Sequence, residues 1–395
     1  MSKNSNNDEP VIDKTITSWD DLDLKSELLR GIYAYGFEKP SPIQKKSILP
    51  ILNGRDVLAQ AQSGTGKTAC FTISSLQIVD IDVNSSQVII MSPTRELSCQ
   101  IKSVVDQIGI NIKNLHTQLL VGGTSTDVDT KLLKENTPHI IIGCPGRIND
   151  MLKRKNINQE TIKLVILDEA DEMLSSGFKE QMYKIFQYTP NEIQIGLFSA
   201  TMPTDLQELT DKFLRNPVKI LVKAEQLTLQ GIAQYFINLE DDLQKYECIK
   251  DLFSSLTVSQ AIIYCNSTRR VDDLEEAMTS DNFPVKKIHG KMPDEERKKT
   301  HKDFKSGGCR VLITSDLFAR GIDVQQVSIV INFDIPKNEH TYLHRIGRSG
   351  RWGRKGIAIN FQTKHDATRL KKFEDYYCTQ IEEMPANYTE HLGLN

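Results

Sequence analysis

The sequence predicts two doubly wound α/β domains, each built on a parallel β-sheet. Short apolar, β-branched runs alternate with longer helical patterns from residue 18 onwards, which is typical of strand–helix–strand units. Nearly every strand candidate is followed at once by small or polar residues, where open parallel sheets bind their ligands. The 395 residues of the chain are too many for one compact core and suit two domains.

The strand candidates form two series, one in each half of the chain. The first series lies at residues 57–59, 88–91, 139–142, 164–167 and 195–198. The second lies at residues 261–264, 285–288, 311–313, 329–331 and 357–359. Between them, a polar stretch with Asn216-Pro217 and Gly231 indicates a linker. We therefore expect a polar disordered tail at 1–17, a first domain at 18–215, a linker at 216–232 and a second domain at 233–395.

The composition excludes several classes of protein. Apolar residues make up 39% and charged residues 26% of the chain, as in ordinary globular domains. No apolar run approaches the ~18 residues that span a bilayer, and the N-terminal MSKNSNN lacks the apolar stretch of a signal peptide. The seven cysteines include no CxxC pair, which argues against a disulfide framework and a zinc site. We expect an intracellular protein whose net charge of −3 permits only local basic surfaces for nucleic acid.

The sharpest local signal is the glycine-rich loop AQSGTGKT at residues 61–68, between a predicted strand and a predicted helix. Glycines let backbone N–H groups face phosphate oxygens at a helix N-terminus. In such a loop Lys67 reaches the β- and γ-phosphates and the Thr68 hydroxyl ligates Mg²⁺. The alternative is a glycine turn that only caps a helix, but the Gly-Lys-Thr ending favours nucleotide binding.

Acidic residues follow the strand candidate at 164–167 as Asp168-Glu169-Ala170-Asp171. Asp168 at a strand end can hold Mg²⁺ through its water shell, and Glu169 can orient and deprotonate an attacking water. An acidic strand end is by itself more often a solvated turn. The phosphate-binding loop upstream makes catalysis the favoured interpretation.

A third cluster, HRIGRSGR at residues 344–351, repeats arginine at every third position. These arginines form a basic surface that can close over phosphate, because a planar, permanently charged guanidinium group suits charge spread over γ-phosphoryl oxygens. The alternatives are a solvated basic loop or a loop that binds only nucleic acid.

With further motifs in order, these clusters resemble a DEAD-box RNA helicase of superfamily two from residue 18 to about residue 385. The further motifs are GFEKPSPIQ at 36–44 (the Q motif), PTREL at 93–97 (motif Ia), Gly122-Gly123, SAT at 199–201 (motif III) and ARGID at 319–323 (motif V). The closest likeness is to the translation initiation factor four-A subgroup and its exon-junction relative, through LRGIYAYGF at 29–37, DVQQVS at 323–328 and IEEMP at 381–385. The resemblance implies two tandem RecA-like domains joined by a short linker.

The resemblance also implies ATP and Mg²⁺ as cofactors. Gln44 would read the adenine edge, Phe37 would stack on the base, and Asp323 would hold the ribose. The nucleotide-binding set is Phe37, Gln44, Ser63, Gly64, Thr65, Gly66, Lys67, Thr68 and Asp323. The metal ligands are Thr68 and Asp168, and the catalytic set is Lys67, Glu169, Arg348 and Arg351. Residues that couple hydrolysis to the second domain are Asp171, Ser199, Thr201 and His344.

RNA would lie across both domains, held mostly by sugar and phosphate contacts with little sequence preference. Candidate contacts are Thr94, Arg95, Gly123, Gly146 and Arg147 in the first domain, and Asn266, Arg269, Gly290 and Thr314 in the second. Three positions depart from the family pattern. Trp19 replaces a phenylalanine and is expected to keep an aromatic face for adenine binding, Cys144 replaces a threonine and loses a hydroxyl, and Ser315 replaces a threonine and keeps one.

The resemblance therefore implies an ATP-dependent RNA helicase that hydrolyses ATP on RNA-induced domain closure and locally unwinds short duplexes. An ATP-gated RNA clamp that organises partner proteins shares every motif and stays an alternative, whereas a DNA-translocating helicase is a weaker one. Protein partners are expected to confer target choice on a monomeric, cytoplasmic or nuclear enzyme. We also expect Cys70, Cys99 and Cys265 to lie in the core and Arg297-Lys298-Lys299 to form a solvated helix face.

Overall fold

The computed structural model describes residues 16–61, 64–175, 177–221, 231–255, 260–316, 327–349 and 356–385. Most of the tail predicted at 1–17 lies outside these residues. Ile16, within the predicted tail, is buried in the core of the first domain.

The first domain contains a parallel sheet of seven strands. The strands are β1 (Val57–Gln60), β2 (Val88–Met91), β3 (Thr117–Leu120), β4 (Ile140–Gly143), β5 (Leu164–Asp168), β6 (Gln194–Ser199) and β7 (Val218–Ile220). They pair in the order β3-β4-β2-β5-β6-β1-β7. The five predicted strands are present, whereas β3 and β7 were not predicted. Because β7 lies within the predicted linker and pairs with β1, the first sheet extends to residue 220.

The second domain repeats this topology. Its strands are β8 (Ile232–Asn238), β9 (Gln260–Tyr264), β10 (Val285–Ile288), β11 (Val311–Thr314), β12 (Val327–Asn332), β13 (Gly356–Gln362) and β14 (Glu382–Glu383). The order β10-β11-β9-β12-β13-β8-β14 is the first order with seven added to each label. The two tandem RecA-like, doubly wound domains of the predicted fold class are therefore confirmed. The exact domain and linker boundaries stay predictions, and residues 222–230 of the linker lie outside the described chain.

Helices cover both faces of each sheet. After the 3₁₀ turn Trp19–Leu22, those of the first domain are α1 (Ser26–Ala34), α2 (Pro42–Leu52), α3 (Lys67–Ile78), α4 (Arg95–Ile108), α5 (Thr126–Glu135), α6 (Pro145–Lys153), α7 (Ala170–Ser175), α8 (Lys179–Tyr188) and α9 (Thr204–Phe213). Those of the second are α10 (Asp242–Ser255), α11 (Thr268–Ser280), α12 (Asp294–Lys305), α13 (Glu339–Ile346) and α14 (Ala367–Tyr377). Successive strand residues such as Ile89 and Ile90 enter opposite apolar clusters, since side chains alternate across a strand. This two-sided burial explains the nearly continuous apolar runs of the strands.

Strand order brings the predicted functional segments together at the carboxyl ends of neighbouring strands in the first sheet. β6 pairs with β5 on one side and with β1 on the other, so the segments that follow these three strands are neighbours. Those segments hold the glycine-rich loop, the acidic cluster and Ser199-Ala200-Thr201. Among the described residues, none of the helices has the length and apolar character needed to cross a membrane.

The predicted burial of cysteines is correct for two of three positions. Cys70 and Cys265 are buried, but Cys99 is exposed. Cys99 lies on α4 outside the stripe of buried positions that includes Leu97, Ile101 and Val105, so helical periodicity turns its thiol toward solvent.

Candidate nucleotide and RNA site

The glycine-rich loop curls into the start of α3. Gly64 and Gly66 have φ angles of +85° and +99°, a region that glycine enters without the steric cost of a side chain. Lys67 is the first residue of α3 and is buried, with its Nζ 3.5 Å from Oε1 of Glu169. The loop thus delivers the lysine to the acidic cluster after β5. Ser63 lies outside the described residues.

The Q segment is bonded directly to the backbone of this loop. The buried Gln44 side chain donates from Nε2 to the carbonyl oxygen of Gly66 at 3.1 Å. Its Oε1 accepts from the backbone N–H of Ser41 at 2.7 Å, and the Ser41 hydroxyl donates to the Thr65 carbonyl at 2.8 Å. A Cβ at Gly66 would meet Gln44 Nε2 at 2.5 Å, so only glycine fits this approach. The segment expected to read the base therefore holds the phosphate loop in place.

Trp19 supports the Q segment from the core of the first domain. Its indole N–H donates to the Phe37 carbonyl at 3.0 Å, and the Phe37 ring packs against Tyr35 with centroids 4.8 Å apart. Trp19 is fully buried. The aromatic face expected there is therefore not available to a base, because the ring forms part of the core; its hydrogen bond instead orients the residue expected to stack on adenine.

The acidic cluster is buried and electrostatically unusual. Asp168, Glu169 and Asp171 are all buried, and Glu169 has a φ of +51°, a costly conformation for a residue with a side chain. Burial and the neighbouring Glu169 carboxylate raise the pKa of Asp168 to about 7, and the Lys67 ammonium opposes this shift. A cation beside Asp168 would stabilise its ionised carboxylate. Carboxylate and hydroxyl oxygens are ligands that Mg²⁺ prefers. Asp168 and Thr68 therefore fit the predicted metal site in their chemistry.

A buried hydrogen-bond network joins the two domains at Asp171. Its Oδ2 accepts from the Thr201 hydroxyl and lies 3.0 Å from Nε2 of His344 in the second domain. Nε2 must be the donor to an ionised carboxylate, which can only accept. The Ser199 hydroxyl donates to the Thr201 carbonyl at 2.7 Å. All four residues predicted to couple the domains are thus brought together.

Candidate metal-ligand atoms of Glu169, Asp171 and His344 lie within 4.8 Å of one another. The hydrogen bond between His344 and Asp171 accounts for two of these residues, and Glu169 faces Lys67 at 3.5 Å, so we interpret the group as part of the network rather than as a metal centre.

Arg348 is buried one turn beyond His344, and its Nε donates to the His344 carbonyl at 3.2 Å. It is therefore carried by the same turn that touches Asp171. Arg351 and Asp323 lie outside the described residues, so their predicted roles have no structural counterpart here.

The RNA candidates of the first domain gather around two helix N-termini. Thr94 caps α4 by accepting from the Leu97 N–H at 3.2 Å, and Gly146 is exposed in the first turn of α6. Arg147 bonds to Asp129 and donates to the Thr124 carbonyl at 2.8 Å, which fixes the loop that carries the exposed Gly123. Such N-termini suit phosphate groups because their first-turn N–H groups point outward and carry partial positive charge.

The second-domain candidates divide into accessible and occupied residues. Arg269 and Gly290 are exposed. Thr314 is fully buried and its hydroxyl donates to the Ser315 carbonyl at 3.2 Å, so its side chain is occupied in this arrangement and its RNA contact stays a prediction. The Asn266 amide is occupied as well: it donates to the Ile335 carbonyl at 2.9 Å and accepts from Arg345 at 2.8 Å.

Two of the family departures have clear surroundings. Cys144 Sγ lies 3.7 Å from the Ser98 hydroxyl, and burial raises the pKa of the Cys144 thiol to about 11, so the group stays neutral. Ser315 is buried at the end of β11.

Arg345 is an important residue that sequence reasoning missed. Its fully buried guanidinium donates to Asp316 at 2.5 Å, to the Asp334 carbonyl at 2.7 Å and to Asn266 at 2.8 Å. Arg345, the residue next to His344, thereby joins the segments that follow β9, β11 and β12. Its position within HRIGRSGR was the available signal, but that signal suggested an exposed basic loop.

Comparisons with known proteins agree with this geometry. Residues 41–209 match the family model of the DEAD/DEAH box helicases, and residues 244–353 match that of the helicase conserved C-terminal domain. The ATP-dependent RNA helicase eIF4A of Pyricularia oryzae is 52% identical, over 97% of this chain and 96% of its own.

Two solved structures of Saccharomyces cerevisiae Dbp5 are informative. Dbp5 bound to RNA and ADP BeF3 is 33% identical and superposes with a TM-score of 0.88, covering 95% of this chain and 98% of that one. A Dbp5 variant bound to nup159, gle1, ip6 and adp is 31% identical and gives a TM-score of 0.64, covering 93% and 97%. The arrangement of the two domains described above is therefore closer to that of the RNA-bound Dbp5 structure.

Proposed function

The chain belongs to the DEAD/DEAH box helicase family, and we propose that it is an ATP-dependent RNA helicase that hydrolyses ATP when RNA closes its two domains and that locally unwinds short duplexes. One observation carries the proposal. The buried network Thr201–Asp171–His344 joins the acidic cluster of the first domain to the arginine-bearing turn of the second. A site divided in this way can respond to RNA through domain closure.

We assign the phosphate end of ATP to the loop at 64–68. The N–H groups of the loop and the Lys67 ammonium would face the phosphate oxygens, and Mg²⁺ held by Thr68 and Asp168 would neutralise phosphate charge. Glu169, held 3.5 Å from Lys67, would accept the proton of the attacking water. Gln44 and Phe37 would bind the adenine.

Arg348, with Arg351, would stabilise the charge that develops on the γ-phosphoryl group. Because Arg348 is bonded to the His344 carbonyl, it would reach the phosphate only when His344 reaches Asp171. RNA bound to both domains would favour this closed state, since a ligand shifts an equilibrium toward the state that it binds better.

RNA would bind at the N-termini of α4 and α6 and at Arg269 and Gly290, mainly through its backbone. With backbone contacts and little base readout, target choice would come from partner proteins. We propose that the protein is a monomer of the cytoplasm or nucleus. The clamp alternative is not favoured, because the similar curated protein is named as a helicase.

The test is a steady-state ATPase assay with and without single-stranded RNA, together with unwinding of a short labelled duplex. RNA should stimulate the wild type, and Arg348→Ala should lose most of that stimulation while keeping ATP affinity, because such arginines contribute about 10³–10⁵ in rate. Arg154→Ala is the control, since Arg154 is an exposed arginine that pairs with Asp150 of α6 within the first domain.

Absence of RNA stimulation would contradict the proposal. A wild type that stays on RNA in ATP but never separates the duplex would support the clamp instead.

A further inference from the structure

Four charged residues of alternating sign meet where the domains touch. Arg95 and Glu96 open α4 of the first domain, and Asp294 and Arg297 lie in the first turn of α12 of the second. We call them the boundary cluster. Arg95 Nη1 lies 2.5 Å from Asp294 Oδ2, Arg297 Nη2 donates to Asp294 Oδ1 at 2.8 Å, and Arg297 Nε lies 3.1 Å from Glu96 Oε1.

The cluster corrects the expectation for the basic run at 297–299. Lys298 and Lys299 are exposed as predicted, but the Arg297 side chain is only 14% exposed because it packs against the first domain. Arg95 and Glu96 are similarly enclosed, at 17% and 16%, whereas Asp294 is 40% exposed. These are partly desolvated ion pairs, which contribute more than pairs on an open surface.

We propose that Asp294 is a positioning residue for RNA-dependent ATP hydrolysis: its carboxylate stabilises the closed arrangement by joining Arg95 to Arg297, and it orients Arg95 toward RNA. The inference rests on the proposed helicase function and deepens it. Within the boundary cluster, Asp294 is the residue whose carboxylate contacts both arginines.

The bond between Asp294 and Arg95 joins the two domains, so it exists only while α4 and α12 are close. An interaction present in one of two conformations shifts the population toward that conformation. In a separated arrangement water would solvate the Asp294 carboxylate and the Arg95 guanidinium. The cluster should therefore lower the amount of RNA needed to close the domains.

The second part of the proposal follows from the glycine loop. A Cβ on Gly123 would lie 2.5 Å from Asp294 Oδ2 and 2.7 Å from Arg95 Nη1, so the loop backbone packs directly on the ion pair. Arg95 Nη1 also donates to the Gly122 carbonyl at 3.3 Å. Because both bonds use Nη1, the remaining nitrogens of the guanidinium fork are the donors that we assign to a phosphate.

An opposing effect has to be weighed, because the Asp294 carboxylate repels RNA phosphates. The boundary cluster holds two positive and two negative groups, so neutralising Asp294 would leave it with a net charge of +1. That added charge would strengthen a long-range attraction that salt screens. The loss of the short, partly buried bond to Arg95 is the larger effect, and we expect weaker rather than tighter response to RNA.

The experiment compares full-length Asp294→Asn with Glu295→Gln. Glu295 is the next residue on α12, is 92% exposed and pairs with Lys298, so its substitution removes the same charge without touching the first domain. ATPase rates are measured at saturating ATP while a single-stranded RNA oligonucleotide is titrated. The thermal unfolding midpoint of each variant serves as a check on folding.

We expect Asp294→Asn to need about three- to tenfold more RNA for half-maximal stimulation, with ATP affinity and unfolding midpoint unchanged. Glu295→Gln should follow the wild type, and Asp294→Glu, which keeps the charge, should recover part of the loss. X-ray scattering at subsaturating RNA with a non-hydrolysable ATP analogue should show a larger radius of gyration for Asp294→Asn.

The inference is overturned if Asp294→Asn responds to RNA like Glu295→Gln, or if it needs less RNA than the wild type. The second result would mean that phosphate repulsion outweighs the contact between the domains. A wild type that RNA does not stimulate would refute the proposed function itself, and the inference with it.

Discussion

Replacing His344 with alanine should separate RNA binding from ATP hydrolysis. His344 of α13 and Asp171 of α7 belong to different domains, and both side chains are almost completely buried at their 3.0 Å contact. The substitution removes a hydrogen bond to a carboxylate in the closed arrangement. In an open arrangement water would solvate Asp171 in wild type and variant alike, so the cost falls on the closed state alone.

The size of the effect follows from the chemistry of that bond. A hydrogen bond to a charged group contributes about 1.5–3 kcal/mol. This corresponds to a change of about 10- to 150-fold in the ratio of closed to open protein. If saturating RNA still closes the variant, the RNA concentration for half-maximal ATPase should rise by the same factor. If saturating RNA closes only part of the variant, the maximal ATPase rate should fall as well.

An ATPase titration with RNA measures this shift, and calorimetry of ATP binding without RNA should show unchanged affinity. His340→Ala is the control, because it removes the same ring from the same helix, where His340 packs edge-on against Tyr376 within the second domain. If His344→Ala and His340→Ala respond to RNA alike, the contact with Asp171 does not couple the domains. A loss of ATP affinity in His344→Ala would contradict the reasoning as well, since it would place His344 in nucleotide binding.

Three further outcomes are expected at the nucleotide site. Lys67→Ala should abolish tight ATP binding, because it removes the charge opposite the β- and γ-phosphates; unchanged affinity by calorimetric titration would contradict that role. Glu169→Gln should keep ATP and RNA binding but slow hydrolysis, giving a long-lived RNA complex in ATP; hydrolysis at the wild-type rate would show that Glu169 is not the base. The pKa of Asp168 in the folded protein, about 7, lies above the ordinary value of 3.8, so without metal and nucleotide the contribution of Asp168 to stability should be greatest below pH ~4 and be lost as the pH rises through 7. In EDTA, Asp168→Asn should therefore raise the melting temperature at pH 8 more than at pH 4, and an equal effect at both values in differential scanning fluorimetry would count against the shifted pKa.

Much of the fold could be predicted because strands that are buried on both faces consist of nearly continuous apolar residues in the sequence. All ten predicted strands are present. The four missed strands lack that signal: Thr117–Leu120 and Ile232–Asn238 are only partly buried, Val218–Ile220 lies at a sheet edge, and Glu382–Glu383 is exposed throughout. These segments become strands because a neighbouring edge offers them hydrogen bonds, and one-dimensional hydrophobicity does not record that neighbour.

The local chemistry of the site can be derived from short stretches of the amino-acid sequence. Gly64 and Gly66 permit the left-handed turn before Lys67, and the acidic cluster must follow the buried strand at 164–168, because such features depend on a few consecutive residues. Which charged groups meet depends on how the two domains fold and pack. Asp171 and His344 are 173 residues apart and Arg95 and Asp294 are 199 apart, and any of 49 lysines and arginines or 8 histidines could in principle have paired with any of 52 acidic side chains. A charged side chain attracts any group of opposite charge equally well. Its partner is therefore selected by the packing of the two sheets and their helices, which sets the positions of the backbone.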